Sequence, residues 1–284
     1  MNNNAMLLIS CPDTKGITAS VANFIYQNNG NIEHADQHID SQTNTFFMRI
    51  EWSLKDFKIE KGKIAESFRP LADRFKMRWA LHFADKVMRM AIFVSKYEHC
   101  LHDLLLRFKG SELNCELPLI ISNHSLAKET ADSFGIRFVE FPITKENKLQ
   151  QEKREIALLK QEEIDLIVLA RYTQILSKQF VEEFPEQIIN IHHSFLPAFA
   201  GSQPYKQAYE KGVKIIGATS HYLIKKLDAG PIIEQDTIRI SHRDSLDDLI
   251  RKGQDLEKIV LGRAVRWHLE RKILVYNNKT VIFD

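Results

Sequence analysis

Cysteine is scarce in this sequence, and the features that would direct a chain outside the cell or into a membrane are missing. The 284 residues include three cysteines, Cys11, Cys100 and Cys115, with no Cys-x-x-Cys pair. This odd, scattered set argues against a disulfide framework and a thiolate zinc site, and it favours a reducing compartment. No run of about 18 apolar residues occurs, and the first residues lack the basic and apolar regions of a signal peptide, so we expect a cytoplasmic protein.

An excess of either charge is also missing. The 39 lysines and arginines nearly balance the 37 aspartates and glutamates, and the formal net charge is +2. This balance gives no electrostatic basis for binding nucleic acid or a membrane surface, so we expect neither as a partner. The composition is ordinary for a globular protein, and the length predicts about two domains.

Residues 1–84 predict a small α/β domain. Apolar or alternating runs indicate strands at 5–11, 32–40, 45–52 and 76–83. Apolar residues recur at helical spacing between the first two strands and again between the last two. The resulting order, β-α-β-β-α-β, is that of a ferredoxin-like domain.

Residues 85–284 predict a second, larger α/β domain. Short apolar strands at 89–94, 117–122, 137–141, 166–170 and 188–192 alternate with helical segments such as 145–162 and 177–184. Continuous apolar strands between helices indicate a mostly parallel, Rossmann-like sheet covered on both faces. Two further strands at 213–221 and 231–239, a long helix from Ser245 to Leu269 and a terminal hairpin complete this domain.

Polar residues that could act on a carbonyl group stand at the end of one predicted strand. Asn190 and His192 share one face of that strand because side chains alternate. An amide and an imidazole on one face can both stabilise the oxyanion that forms when a carbonyl is attacked. Asp228, in a turn before another strand, could hold the imidazole or a water. Taken singly, each of the three also fits an ordinary polar loop residue.

A dense, ordered set of motifs surrounds these residues. It comprises Ala170-Arg171-Tyr172 to Leu176, residues 190–199 from Asn190 through Pro197 to Phe199, then Gly201, the strand 217–221 and the turn 227–233. These motifs resemble those of the formyltetrahydrofolate-dependent formyltransferases and, within them, of the hydrolytic branch, the formyltetrahydrofolate deformylases. The N-terminal unit is similar to an ACT domain, the regulatory module that this branch carries in front of its catalytic domain.

The resemblance implies a reaction and a set of site residues. Water would hydrolyse 10-formyltetrahydrofolate to formate and tetrahydrofolate, which regulates the one-carbon pool and supplies formate for purine synthesis. Asn190, His192 and Asp228 would be catalytic, and the substrate would be bound by Tyr172, Gln174, Leu176 and His221. No metal and no cofactor are expected, and the HExxH metal motif is absent.

For the front domain, the resemblance implies an amino-acid effector, methionine or glycine. The effector would be bound by Asp13, Gly16, Asn31 and Ile32, commonly across a pair of such domains. A homo-oligomer is expected because the edge strands of a small sheet expose unpaired backbone groups. The same loop residues also fit a plain helix cap with a conformationally required glycine.

The main alternative is transfer of the formyl group to an amine acceptor. Glycinamide ribonucleotide transformylase has a glycine-rich phosphate loop after the first strand of this domain, whereas residues 94–101 contain no glycine here. The near-neutral charge disfavours methionyl-tRNA formyltransferase. Two departures from the deformylase pattern stand out: Thr173 replaces a larger apolar residue, and Lys225 and Lys226 replace acidic ones.

Overall fold

The computed structural model describes residues 3–198 and 203–284, which divide into two compact units. One unit comprises Met1–Val87 with Val281–Asp284, and the other comprises Met88–Thr280. The sequence pattern gives no sign that residues 281–284 group with the N-terminal unit. Phe199 and Gly201 of the motif lie outside the described residues.

The N-terminal unit has the predicted order of elements. These are β1 (Asn4–Pro12), α1 (Ile17–Gln27), β2 (Asn31–Asp40), β3 (Thr45–Ser53), α2 (Ile64–Arg74) and β4 (Arg78–Phe83). The strands form an antiparallel sheet in the order β2-β3-β1-β4, which confirms the ferredoxin-like prediction.

The core of this unit lies between the two helices and one face of the sheet. Ile17, Val21 and Ile25 recur at helical spacing on α1 and are at most 2% exposed. Gly16 precedes α1 with φ +93°, a left-handed conformation that favours glycine. Strand β2 lies at the sheet edge, and most of its residues are exposed.

The larger unit is built on a seven-stranded sheet. Its elements are β5 (Met88–Val94), α3 (His99–Lys109), β6 (Cys115–Ser122), α4 (Lys128–Ser133), β7 (Arg137–Glu140), α5 (Lys148–Gln161), β8 (Leu166–Ala170), α6 (Lys178–Glu183), β9 (Ile188–His192), α7 (Pro204–Lys211), β10 (Ile215–Tyr222), β11 (Ile232–Arg239) and α8 (Leu246–Leu269). The chain ends in a hairpin of β12 (Ile273–Tyr276) and β13 (Lys279–Ile282).

The strand order of the large sheet is β11-β10-β9-β8-β5-β6-β7. Strands β9, β8, β5, β6 and β7 run parallel, while β10 is antiparallel to both of its neighbours. The mostly parallel sheet is thereby confirmed. Its central strands are buried because helices cover both faces, and this explains their continuous apolar runs.

Side chains in two places fix the ends of elements around the sheet. Ser245 and Asp248 form a capping box at the start of α8. The Ser95 hydroxyl, just after β5, donates to Asn123 Oδ1 at 2.6 Å and accepts hydrogen bonds from the backbone N–H and hydroxyl of Thr173 at 3.0 and 3.1 Å. One hydroxyl therefore joins the segments that follow β5, β6 and β8. Among the described residues, no helix combines the length and apolarity needed to cross a membrane.

Candidate active site

One cavity of about 480 Å³ in the larger unit collects the residues predicted for catalysis and substrate binding. Its lining includes Asn190, His192, Asp228, Tyr172, Gln174, Leu176 and His221. They come from the end of β8 and the segment after it, from β9, from β10 and from the turn before β11. The structure thus brings together seven side chains from four separate segments of the chain.

His192 and Asp228 form a pair in this cavity. His192 Nδ1 lies 3.4 Å from Asp228 Oδ1, and His192 Nε2 is buried with no hydrogen-bond partner among the described residues. Hydrogen bonding to His192 holds the pKa of Asp228 below its ordinary value, although partial burial opposes this. The carboxylate is therefore ionised at neutral pH, and it fixes the imidazole so that its second nitrogen is left for chemistry.

The turn that carries Asp228 is sterically constrained. Asp228 has φ +50°, and a Cβ on Gly230 would lie 1.8 Å from the carbonyl oxygen of Tyr222. Only glycine fits such a close approach of two backbone segments. Gly230 therefore allows the turn to fold back towards His192.

Asn190 is oriented by a second histidine. The Asn190 Nδ2 group lies 3.3 Å from His221 Nε2, and His221 Nδ1 lies 3.0 Å from the carbonyl oxygen of Tyr222. Burial lowers the pKa of His221, so its ring is neutral at pH 7. The N–H at Nδ1 then donates to the carbonyl oxygen of Tyr222, and Nε2 accepts a hydrogen bond from the Asn190 amide. One N–H of the Asn190 amide remains for a ligand.

His193 extends the site on the other side of His192. The two ring centres are 5.2 Å apart, and the His193 ring lies 5.9 Å from that of Tyr205 on α7. Burial lowers the pKa of His193 to about 4. This ring is thus uncharged at neutral pH.

Comparison with known proteins gives the family. The formyl transferase model matches residues 88–265, and the ACT domain model matches residues 5–54. A formyltetrahydrofolate deformylase from Synechocystis sp. is 58% identical, with 99% of each chain covered, and one from Bacillus subtilis is 46% identical, covering 98% of this chain and 93% of the other. The crystal structure of a formyltetrahydrofolate deformylase from Pseudomonas syringae pv. tomato has a TM-score of 0.97 at 43% identity, covering 100% of this chain and 95% of the other. The chain belongs to the formyltetrahydrofolate deformylase family.

Thr173, where a larger apolar residue is expected, makes specific contacts in the structure. Thr173 is bonded to Ser95 through both its backbone and its hydroxyl. A larger apolar side chain could not donate the second of these hydrogen bonds. Lys225 and Lys226, where acidic residues are expected, line the cavity, and Lys225 forms an ion pair with Glu182.

A buried network that the sequence analysis missed lies behind His193. Glu257 on α8 is fully buried and is bonded to His99 Nε2 at 2.8 Å and to the Tyr205 hydroxyl, while Arg171 Nε lies 3.4 Å away. Burial opposes ionisation of Glu257, yet these partners hold its pKa below the ordinary value.

The same place groups three possible metal ligands. His99, Cys100 and Glu257 each offer an atom, all within 4.8 Å of one another. The arrangement does not fit a metal, because the carboxylate is already satisfied by hydrogen bonds and a guanidinium group stands beside it. We interpret the group as a structural hydrogen-bond network.

The predicted effector residues of the N-terminal unit do not all lie together. Asp13 and Gly16 follow the end of β1, next to Asn44. Asn31 and Ile32 begin β2 and pair with Ser53 and Trp52 at the other end of the sheet. With a rise of about 3.3 Å per residue along β1, the two pairs are separated by roughly the length of a strand, about 25–30 Å.

Proposed function

We propose that Asn190, His192 and Asp228 carry the reaction of this family in this chain, the hydrolysis of 10-formyltetrahydrofolate to formate and tetrahydrofolate. The relatives of this family match the chain over nearly its whole length, and this match supports the reaction. The observation that supports the residues is their geometry: a free amide N–H and an unpartnered imidazole nitrogen line one cavity, with an ionised carboxylate behind the imidazole.

The chemistry follows from these groups. Asp228 orients His192 and holds or deprotonates a water, which attacks the carbon of the N10-formyl group. Asn190 and His192 stabilise the oxyanion that forms. When the carbon–nitrogen bond breaks, N10 takes up a proton, and tetrahydrofolate and formate leave. His221 orients the Asn190 amide.

The segment 172–176 supplies the pterin side of the pocket. Tyr172 is buried, and its hydroxyl lies 3.4 Å from Glu155 on α5. Leu176 is buried as well, and Thr173 is tied to Ser95. Because these side chains are engaged elsewhere, backbone groups of the segment and the Gln174 amide are left to bind the substrate.

Water is the acceptor in this proposal, and neither metal nor cofactor takes part. The segment between β5 and α3 has no glycine to expose the backbone N–H groups that a substrate phosphate needs. Purified protein given 10-formyltetrahydrofolate alone should produce formate and tetrahydrofolate in equal amounts, also after prolonged chelator treatment. A requirement for an added amine, or loss of activity that a divalent metal restores, would contradict the proposal.

For the front unit we propose a paired ACT module that binds methionine or glycine, in a homo-oligomeric protein of the cytoplasm. Antiparallel pairing of two β2 edges about a two-fold axis would bring Asn31 and Ile32 of one copy to the Asp40 end of the other. That end lies beside Asp13 and Gly16, because Thr45 pairs with both Asp40 and Pro12. The separation within one copy therefore favours an effector site shared by two copies.

A complementation experiment tests this arrangement. Binding of methionine and of glycine to the full chain is measured by calorimetry for Asp13→Ala, for Asn31→Ala and for their unfolded and co-refolded mixture. Each variant alone should lose binding, whereas mixed pairs regain one intact site. Equal loss in the mixture would overturn the shared site, and absence of binding to the unchanged protein would overturn these effectors.

A further inference from the structure

Helix α5 buries charged residues on the face where a helix of this kind normally buries apolar ones. Glu152 is 2% exposed and Glu155 is fully buried, while Lys148 is partly buried one turn earlier. Their spacing of four and then three residues places the three on one face. Burying a carboxyl group costs free energy unless the group is hydrogen-bonded. The charged stripe of α5, formed by Lys148, Glu152 and Glu155, is therefore expected to have hydrogen-bond partners.

Each residue of this stripe is hydrogen-bonded to a different point of residues 172–177, the substrate segment. The Lys148 ammonium donates to the Ile175 carbonyl oxygen. Glu152 Oε1 accepts from the backbone N–H of Ser177 at 3.0 Å, and Glu155 Oε1 lies 3.4 Å from the Tyr172 hydroxyl. The start, middle and end of the segment 172–177 are therefore all attached to one helix.

These attachments face away from the cavity. Tyr172, Ile175 and Leu176 line the cavity, whereas Glu152 and Glu155 lie behind them and do not. The second oxygens of both glutamates have no partner among the described residues. Apolar side chains would fill this space without that cost, but they could not accept hydrogen bonds from the segment.

We propose that Lys148, Glu152 and Glu155 are positioning residues that hold the segment 172–177 in its substrate-binding form before the folate arrives. This inference rests on the proposed function, because it assigns the segment to folate binding. A preformed segment loses less conformational freedom on binding, so the stripe acts on affinity. It leaves the chemistry at Asn190, His192 and Asp228 unchanged.

The protonation of Glu155 makes this role pH-dependent. Burial, with the negative charge of Glu152 adding to it, raises the pKa of Glu155 to about 7, against the opposing effects of Tyr172 and Lys148. Below that pH the carboxyl group is neutral. Ionisation above it makes the carboxylate a stronger hydrogen-bond acceptor for the Tyr172 hydroxyl, the contact that favours the charged form, so the attachment strengthens and KM falls.

Steady-state kinetics and product binding test the proposal. We compare Glu155→Leu, which removes the acceptor, with Glu155→Gln, which keeps it without ionising. The control is Lys153→Gln, on the exposed face of α5. Glu155→Leu should raise KM for 10-formyltetrahydrofolate about tenfold, as expected for the loss of one buried hydrogen bond, with kcat nearly unchanged. Glu155→Gln, which keeps a neutral acceptor, should leave KM unchanged below pH 7 and abolish its fall above pH 7.

Three results would overturn the proposal: an unchanged KM in Glu155→Leu, a fall in kcat alone, or a Glu155→Gln variant that still shows the alkaline fall of KM. If Glu155→Leu does not fold, KM is compared instead between the unchanged protein and Lys148→Met, together with the pH profile of KM in Glu155→Gln. Affinity for tetrahydrofolate, measured by calorimetry, separates this inference from the proposed reaction. Unchanged protein that binds tetrahydrofolate but releases no formate would refute the reaction, while the variants would still report on positioning.

Discussion

Two walls of one cavity use their polar side chains in opposite directions. On the catalytic wall, formed by Asn190, His192, His221 and Asp228, the groups bond one another and leave one N–H and one imidazole nitrogen for a ligand. On the substrate segment, residues 172–177, the bonds run outward to Ser95 and α5. Chemistry needs side chains that reach in, whereas a fixed binding surface needs side chains that anchor it from behind.

This difference predicts which kinetic constant each wall controls. Changes on the catalytic wall should lower kcat, because their groups act on the reacting carbon. Changes behind the substrate segment should raise KM, because they alter only a binding surface.

The largest effect is expected at Asp228. Asp228→Asn should lower kcat by about 10²–10⁴, because the charge that orients His192 and handles the water is lost. KM should change little. Steady-state rates of formate release measure this, with Lys153→Gln as the unaffected comparison. If Asp228→Asn changed mainly KM, the two walls would not control different kinetic constants.

Asn190→Ala should have a somewhat smaller effect. We expect kcat to fall by about 10²–10³, the scale of one lost oxyanion donor. The thermal unfolding midpoint, measured alongside, should stay close to that of the unchanged protein. An unaltered rate would remove Asn190 from the mechanism.

Acid titration tests the contribution of His193, whose ring lies next to that of His192 in the catalytic wall. Burial lowers the pKa of His193 from 6.5 to about 4, so the unfolded chain takes up this proton at a higher pH than the folded one. The free energy of unfolding should therefore decrease as pH falls from about 6.5 to about 4. In His193→Asn, denaturant titrations over this range should show a shallower decrease. An equal slope in both proteins would show that His193 does not contribute.

The smallest effect is expected at the cavity mouth. Lys226 is exposed and lines the cavity, where a cation can attract the carboxylates of the folate glutamate. Lys226→Glu should raise KM severalfold at low salt and less at 0.5 M salt, because exposed charges are screened. The salt series is the measurement, and a KM change independent of salt would point to a different cause.

The sequence predicts the strands well for a physical reason. Run 166–170 is fully apolar, and run 188–192 is apolar apart from Asn190 and His192, so both strands have the predicted bounds. Asn190 and His192 alternate on one strand, and this spacing alone places them on the same face.

Other parts could not be predicted because they depend on contacts distant in sequence. His99 and Glu257 are 158 residues apart, and a buried glutamate in a helix looks like part of a solvated face until its partners are known. The stripe on α5 was missed for the same reason. Helix α7 was missed as well, because it has only eight residues and its three buried residues, Pro204, Tyr205 and Ala208, are too few to define a helical period.

The hydrogen bonds of the Ser95 hydroxyl also affect how the neighbouring segments open locally. It bonds Asn123 and Thr173, so the segments that follow three neighbouring strands share a single oxygen atom. Local opening in such a cluster is cooperative, because releasing one segment leaves the others with an unsatisfied group. Amide protons at Thr173 and in the neighbouring segments should therefore exchange with solvent at similar rates, and Ser95→Ala should accelerate them together.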